Sequence, residues 1–299
     1  MSKATAVQES KGDRVFILFV YLFLTLVLLV VALPLIYILS SSVSSPQSVI
    51  SGKVWLFPVD FTLAGYKAVF HNPQIGTGYL NSLFYTVVGT LVNVLLTIML
   101  AYPLAKKTLY GRNIIMVMLV ITMMFEGGLI PYYLLVKELH LLDTRWAMIL
   151  PGALAVFQVI IARTFFQTTI PDELSEAAEL DGCSDFRFIL SMVLPLSKPI
   201  IAVMTLMYAV GHWNAYFDAL IFLRDPGLFP LQIILRNVLI LNTVDASMMA
   251  NVDQMQAQQG LKDLVKYALI VVASAPVLII YPFVQKHFVK GVMIGSLKG

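Results

Sequence analysis

The sequence predicts an all-α membrane protein with six transmembrane helices and both termini in the cytoplasm. Three observations carry that expectation. Hydrophobic residues make up 59% of the 299-residue chain and charged ones 12%, with a mean hydropathy of +0.85. A soluble domain of that composition would lack the polar surface needed to stay dispersed. The apolar residues gather into six runs long enough to cross a hydrocarbon core of about 30 Å. Lys and Arg gather in the short connections on one side of those runs, which sets the orientation.

Residues 1–14 form a polar tail. The first run, Val15 to Leu39, carries Pro34 near its far end, where a kink is tolerated. It is too long for a cleaved leader and lacks a small-residue cleavage site. Residues 40–80 are a loop rich in Ser, Pro and Gly, with Trp55, Phe57, Phe61 and Tyr66. Those aromatic residues suit either the membrane–water interface or a small packed patch outside it. The second run is Ser82 to Ala105, stopped by Lys106-Lys107; the third is Ile114 to Val136 and the fourth Ala147 to Phe166. The fifth opens at Ser197-Lys198-Pro199, a serine cap with proline in the first turn, and ends near Leu223. Residues 224–266 are polar and mixed and are expected to form a solvated outer loop. The last run, Tyr267 to Val284, contains Pro276 and Pro282, and residues 289–299 close the chain as a second tail.

Between the fourth and fifth runs lies a polar island. Pro171-Asp172-Glu173 marks a helix start, with Asp172, Glu173 and Glu176 where the helix dipole favours negative charge. Gly182 ends that helix through a left-handed cap. Phe186, Phe188, Ile189, Leu190 and Val193 then resume an apolar helical pattern up to Pro195. The island is longer than the few residues that usually join two helices. The N-terminal tail, the Lys106–Arg112 connection, the island with its flanks and the C-terminal tail hold most of the 20 Lys and Arg residues. Half of the remainder sits in the single long 224–266 segment, so the short loops place the island in the cytoplasm.

Several function classes are excluded. The net charge of +3 is too small and dispersed for nucleic-acid binding, and the single Cys183 leaves no internal disulfide. There is no Gly-x-x-x-x-Gly-Lys-Ser/Thr phosphate loop, so this chain is not expected to be an enzyme that hydrolyses ATP. His71, His140, His212 and His287 are scattered without metal-ligand spacing, and no metal or cofactor is expected in this chain. The prolines do not pair up between two halves, as the broken helices of an inverted-repeat carrier would.

Ionisable groups within spans point to function. Glu126 lies in the third run, followed by Gly127-Gly128, and suits either a polar path or a bond to a partner helix. His212 and Asp218 lie in the fifth. The run Gly211 to Phe217 contains Trp213, Asn214 and Tyr216, whose aromatic faces and amide match the apolar face and polar rim of a sugar. The competing reading has Trp213 in the core and Asn214 packed between helices.

The island resembles the cytoplasmic loop of permeases in binding-protein-dependent ABC importers. Their pattern is Glu-Ala-Ala, three residues, Gly, nine residues, an aliphatic, one residue, Leu-Pro. Here Glu176-Ala177-Ala178, Gly182, Met192 and Leu194-Pro195 match it. Met192 stands where Ile is usual and keeps the apolar volume. The resemblance implies a coupling helix between helices 4 and 5, within a coupling loop of residues 168–196 in a permease domain of residues 15–288. Glu176, Ala177, Ala178, Gly182, Leu194 and Pro195 would then meet a groove in an ATPase.

The same resemblance implies an assembly in a bacterial cytoplasmic (inner) membrane. Its members would be a second, homologous permease, two ATPase subunits that bind ATP and Mg, and a periplasmic or extracellular sugar-binding protein. It extends over nearly the whole chain and points to the carbohydrate class, of the maltose-permease type. A Trp-Asn pair like Trp213-Asn214 recurs in sugar-importer permeases, and the Gly291–Gly299 ending is similar to tails that reach the ATPase dimer. Residues 224–266 occupy the place from which the outer loop engages the binding protein. The Trp213-to-Leu223 segment, the long outer loop and the Val289-to-Gly299 ending look closest to permeases for acidic oligosaccharides such as alginate or pectin fragments. Glu126, Trp213, Asn214, Tyr216 and Asp218 are the expected substrate path. An amino-acid or peptide importer permease and an ion-coupled carrier are the alternatives. The carrier would have no use for the Glu176–Pro195 island.

Overall fold

Backbone amides in hydrocarbon find no water, so spanning segments close their hydrogen bonds internally. In the computed structural model, which describes residues 11–241, 260 and 262–282, every regular element among those residues is helical. Three helices are long and apolar enough to cross a membrane unbroken: α1 (Lys11–Ser42), α4 (Pro73–Ala105) and the helix of Lys262–Pro282, called α14 below. Two more candidates are bent. α5 (Arg112–Met124) and α6 (Leu129–Glu138) meet at 113°, and the stretch Asp185–Leu196 meets α11 (Lys198–Asn214) at 83°.

The described residues therefore offer three to five spans by length and composition, where six were expected. The third run is not one helix. It breaks at residues 125–128, where Gly128 takes φ 84° and ψ 168°, a conformation in practice reserved for glycine. The fourth is not a helix from Ala147. A 3₁₀ turn (Arg145–Met148) precedes Pro151-Gly152, and regular helix starts only with α7 (Val156–Thr169), 14 residues long. The fifth stops at Asn214 and resumes as α12 (Phe217–Phe222). Ser197 stands at the N-terminus of α11, but its side chain makes no cap hydrogen bond. Residues 224–266 are not all solvated loop, because α13 (Leu231–Leu241) forms there and buries Leu231 and Ile233. The second run starts earlier than Ser82, at Pro73, where the Asn72 side chain caps the helix by accepting from Gln74 N at 3.0 Å.

The chain divides into two units, Met1–His71 with Leu241–Val272, and Asn72–Ile240 with Ala273–Gly299. In the first, α1 runs into a clasp containing α2 (Pro46–Ile50) and α3 (Ala64–His71). The Tyr37 ring meets Tyr267 edge-on at 5.8 Å. α3 crosses so close that a Cβ on Gly65 would lie 2.9 Å from the Leu264 carbonyl oxygen.

In the second unit α4, α7 and α11 share one apolar core built on Ile98, Ala101, Val159, Ala162, Ile200 and Met204. Small residues on α4 let α11 approach: a Cβ on Gly89 would run into the His212 ring. The Thr97 and Tyr208 hydroxyls join these helices at 2.8 Å.

Candidate functional site

The polar island forms one defined helix. α8 (Asp172–Leu180) begins after Pro171, with Asp172 and Glu173 in its first turn. It ends in a two-bond glycine cap: Cys183 N donates to Ala178 O at 2.9 Å and Gly182 N to Glu179 O at 3.0 Å, with Gly182 at φ +73°. The chain then turns into α9 (Asp185–Phe188), whose cap is Ser184 Oγ accepting from Arg187 N at 3.4 Å. A π turn (Ile189–Val193) follows and leads to α10 (Leu194–Leu196), the place of the Leu194-Pro195 pair.

The faces of α8 differ. Leu174, Ser175 and Ala178 turn inward and are half-buried. Glu176, Ala177, Glu179 and Leu180 are exposed, Leu180 to 89%. Phe186, on α9, is 71% exposed. An acidic helix face edged with bare apolar side chains is thus held away from the bundle.

Two lysines at the end of α4 bind the island at its root. Lys107 Nζ lies 2.8 Å from Asp172 Oδ2. The Asp172 carboxylate, by hydrogen bond and by charge, raises the pKa of Lys107 above the ordinary lysine value. Lys106 is more enclosed. Its ammonium donates to Ser175 Oγ at 3.1 Å, lies 3.6 Å from Asp185 Oδ1, and sits over the rings of Tyr102 and Phe188 at 5.3 and 5.9 Å. α7 ties down the same end of α4: Arg163 Nε donates to Leu104 O at 3.0 Å and Gln167 Nε2 to Ala105 O at 3.4 Å. These bonds satisfy carbonyls that a helix end leaves without intrahelical donors. Between α8 and this root lies a half-open cavity of about 820 Å³, lined by Lys106, Lys107 and Arg112 on one wall and Asp172, Glu176 and Glu179 on the other.

Sequence reasoning read Lys106-Lys107 only as a stop to the second run and as a topology signal. Its pairing with Asp172 and Asp185 was legible as complementary charge but not as proximity, because 65 and 79 residues separate the partners in the chain. The Ser184 cap was missed as well, although a serine followed by an acid before an apolar run is a recognisable start signal.

The expected substrate-path residues do not form one cluster. Trp213 is buried, 4% exposed, with its indole N–H donating to Ala273 O at 2.9 Å and its ring edge-on to Tyr79 at 5.5 Å. Asn214 next to it is exposed and donates to Val210 O at 2.9 Å, one turn back. Tyr216 is 46% exposed in the break between α11 and α12, and Asp218 is half-buried in the first turn of α12. Glu126 is exposed in the break between α5 and α6. Helix breaks at membrane depth are tolerated where they are covered by protein or line a water-filled cavity. The tail Gly291–Gly299 lies outside the described residues.

Residues 75–294 match a family described as binding-protein-dependent transport system inner membrane component. The chain is 44% identical to Protein LplC of Bacillus subtilis (strain 168) over 299 residues, all of both chains. It is 42% identical to the polygalacturonan/rhamnogalacturonan transport system permease protein YtcP of the same organism, covering 96% of this chain and 99% of that one. Among solved structures, a chain of a bacterial ABC transporter involved in the import of the acidic polysaccharide alginate matches with a TM-score of 0.85 at 33% identity. That match covers 95% of this chain and all of the other. These matches favour neither the amino-acid or peptide permease nor the ion-coupled carrier.

Proposed function

The chain belongs to the family of binding-protein-dependent transport system inner membrane components, and from that membership we propose that it is the permease subunit of an ATP-driven importer of uronate-containing oligosaccharides. The observation that carries the coupling role is the build of α8. The helix is capped at its C-terminus, held at its root by Lys106 and Lys107, and bare on its outer face. A helix that transmits displacement must move as one piece, and its docking face must be free for another protein. Glu176, Ala177, Ala178 and Gly182 form that lever, while Leu194 and Pro195 close its return to α11.

The partner it docks to is an ATPase subunit, which supplies ATP and Mg binding. A second, homologous permease completes the membrane path, and a sugar-binding protein delivers substrate from the periplasm or cell exterior. The island faces the cytoplasm of a bacterium, with both termini of the permease on that side. ATP closes the ATPase pair, α8 follows its groove, and the path opens outward to take the sugar.

The substrate class is supported by two relatives whose names specify polygalacturonan/rhamnogalacturonan and alginate, both acidic polysaccharides. On the path, Asn214 and Tyr216 offer an amide and an aromatic face to the sugar ring, whereas Trp213 acts from behind as packing. Glu126 and Asp218 are acids, so they suit sugar hydroxyls and would repel uronate carboxylates. The cations that meet those carboxylates are therefore expected from the second permease.

The test is to purify the chain with its accompanying subunits into lipid and measure ATP hydrolysis with candidate sugars and the binding protein. Stimulation by uronate oligosaccharides and not by neutral glucans is the expected result. Stimulation by neutral sugars alone would reject the acidic substrate. Uptake by this chain without any ATPase would reject the importer.

A further inference from the structure

We propose that the turn from Trp55 to Phe61 is an interfacial anchor, seated in the headgroup–acyl boundary of the bilayer at the end where α1 leaves the membrane. The occupant of this surface is lipid, not protein.

The position of the turn follows from its hydrogen bonds. The apolar run of α1 ends at Leu39, and the next residue, Ser40, donates its hydroxyl to Leu56 O at 2.8 Å. Ser45 N donates to Val59 O at 3.1 Å, Val59 N to Ser44 Oγ at 3.0 Å, and Thr62 N to Val43 O at 2.9 Å. Ser48 Oγ closes the turn by donating to Asp60 Oδ2 at 2.8 Å. These bonds hold the backbone of residues 56–62 beside residues 40–45. The turn cannot stand out in water away from the membrane, because it is tied to the residues at which the apolar run of α1 ends.

The side chains point the other way. Trp55 is 72% exposed, Phe57 78% and Phe61 70%, whereas the interior of the clasp is filled by Val49, Val54 and Val69. The aromatic residues therefore do not make a packed patch of their own. They continue a surface that is already lipid-like, since the most apolar 18-residue window of α1 is 0% buried. Trp and Phe at the edge of such a surface match the interface, where the ring meets acyl chain and the indole N–H meets ester or phosphate oxygen. Exposed Lys53, two residues before Trp55, suits the phosphate.

The test uses the full-length chain, purified free of other subunits, in phosphatidylcholine–phosphatidylglycerol nanodiscs. A Trp146→Phe, Trp213→Phe variant leaves Trp55 as the only tryptophan, excited at the red edge where tyrosine does not absorb. Lipids brominated near the ester are expected to quench Trp55 at least twofold more than lipids brominated near the methyl end, with little quenching by aqueous acrylamide. Trp213 is buried and hydrogen-bonded, so its loss could impair folding. A second variant avoids that risk: Cys183→Ser, Phe57→Cys carrying a nitroxide, read by its accessibility to oxygen against an aqueous nickel chelate. Oxygen access exceeding nickel access several-fold places the turn in the interface. Nickel access as high as that of a free label in water overturns the proposal. So does protection that arises only when the binding protein is added, because the occupant is then that protein.

Discussion

Gly182 holds φ at +73°, and nothing lies within 4 Å of where its Cβ would stand. Space is therefore not the constraint, and the backbone conformation is. A β-branched side chain in the left-handed region costs on the order of 1–2 kcal/mol, whereas Asn tolerates it. Gly182→Val is thus expected to loosen the joint between α8 and α9 and to uncouple sugar uptake from ATP hydrolysis, with Gly182→Asn close to wild type. Both are read in membrane vesicles by uptake and hydrolysis measured together, and wild-type uptake by the valine variant would remove the lever argument. A second residue works by the same logic elsewhere. Asp143, at φ +57°, accepts from Asp225 N at 2.9 Å and from Arg224 N at 2.8 Å through one carboxylate oxygen, and its own N–H donates to Phe222 O. Those two amides hold its pKa below the ordinary carboxylate value. A depressed folded pKa stabilises the turn above the unfolded value near 3.9 and ceases to do so as pH falls through the folded one. Exchange protection of the Arg224 and Asp225 amides should therefore persist through neutral and mildly acidic pH and fall only below it. Asp143→Asn keeps the acceptor and the backbone preference and should abolish the pH step, while Asp143→Ala should lose roughly five- to tenfold of the protection at neutral pH.

At the scale of the elements, close packing decides more than pattern does. The approach of α11 to α4 depends on Gly89, where an added Cβ would meet three atoms of the His212 ring. His212 Nε2 also faces Asn93 Oδ1 at 3.4 Å. Gly89→Ala should lower thermal stability by about 1–3 kcal/mol through overpacking. His212→Ala in the same chain should recover most of that loss, and melting of the single and double variants in detergent checks the pair. No recovery would mean that the alanine acts through something other than the imidazole. The root of α8 gives a graded case. Lys107 and Asp172 are exposed, so Lys107→Ala should leave melting nearly unchanged. Lys106 is 26% exposed and serves Ser175, Asp185 and two rings, so Lys106→Ala should shift melting measurably and loosen α8 to proteolysis. What the sequence made legible here was local. The start of α8 at Asp172, its end at Gly182 and the resumption before Pro195 are set by dipole, left-handed backbone and apolar period within a few residues. The break at Tyr216 was not legible, because an apolar run reads the same whether it is one helix or two, whereas Gly127-Gly128 beside Glu126 allowed either a close crossing or a break. Hydropathy measures what surrounds a segment and is blind to its bends. Likewise, Trp213 beside Asn214 fitted either an aromatic–amide site or a core ring with an amide packed between helices, and only tertiary packing separated a buried indole from an exposed amide.

For the whole molecule, orientation is the property that the coupling role requires and that charge distribution alone supports. The excess of Lys and Arg in short connections predicts a cytoplasmic island, and the chain carries a ready reporter in it, since Cys183 is its only cysteine. Cys183 is half-buried just beyond the end of α8. In vesicles stripped of peripheral subunits, a membrane-impermeant maleimide should label Cys183 when the cytoplasmic face is outward and leave it unlabelled in intact cells. In a Cys183→Ser background, Ser51→Cys, exposed just beyond α2, should show the reverse pattern. The pair is informative because the two positions lie on opposite sides only if an odd number of crossings separates Ser51 from the island. Labelling of both from the same side would fit two crossings between them, α4 and the bent α5–α6 pair, and would contradict the six-span topology. Labelling of Cys183 in intact cells would put α8 on the side where no ATP is available, and an ATP-driven lever could not work there.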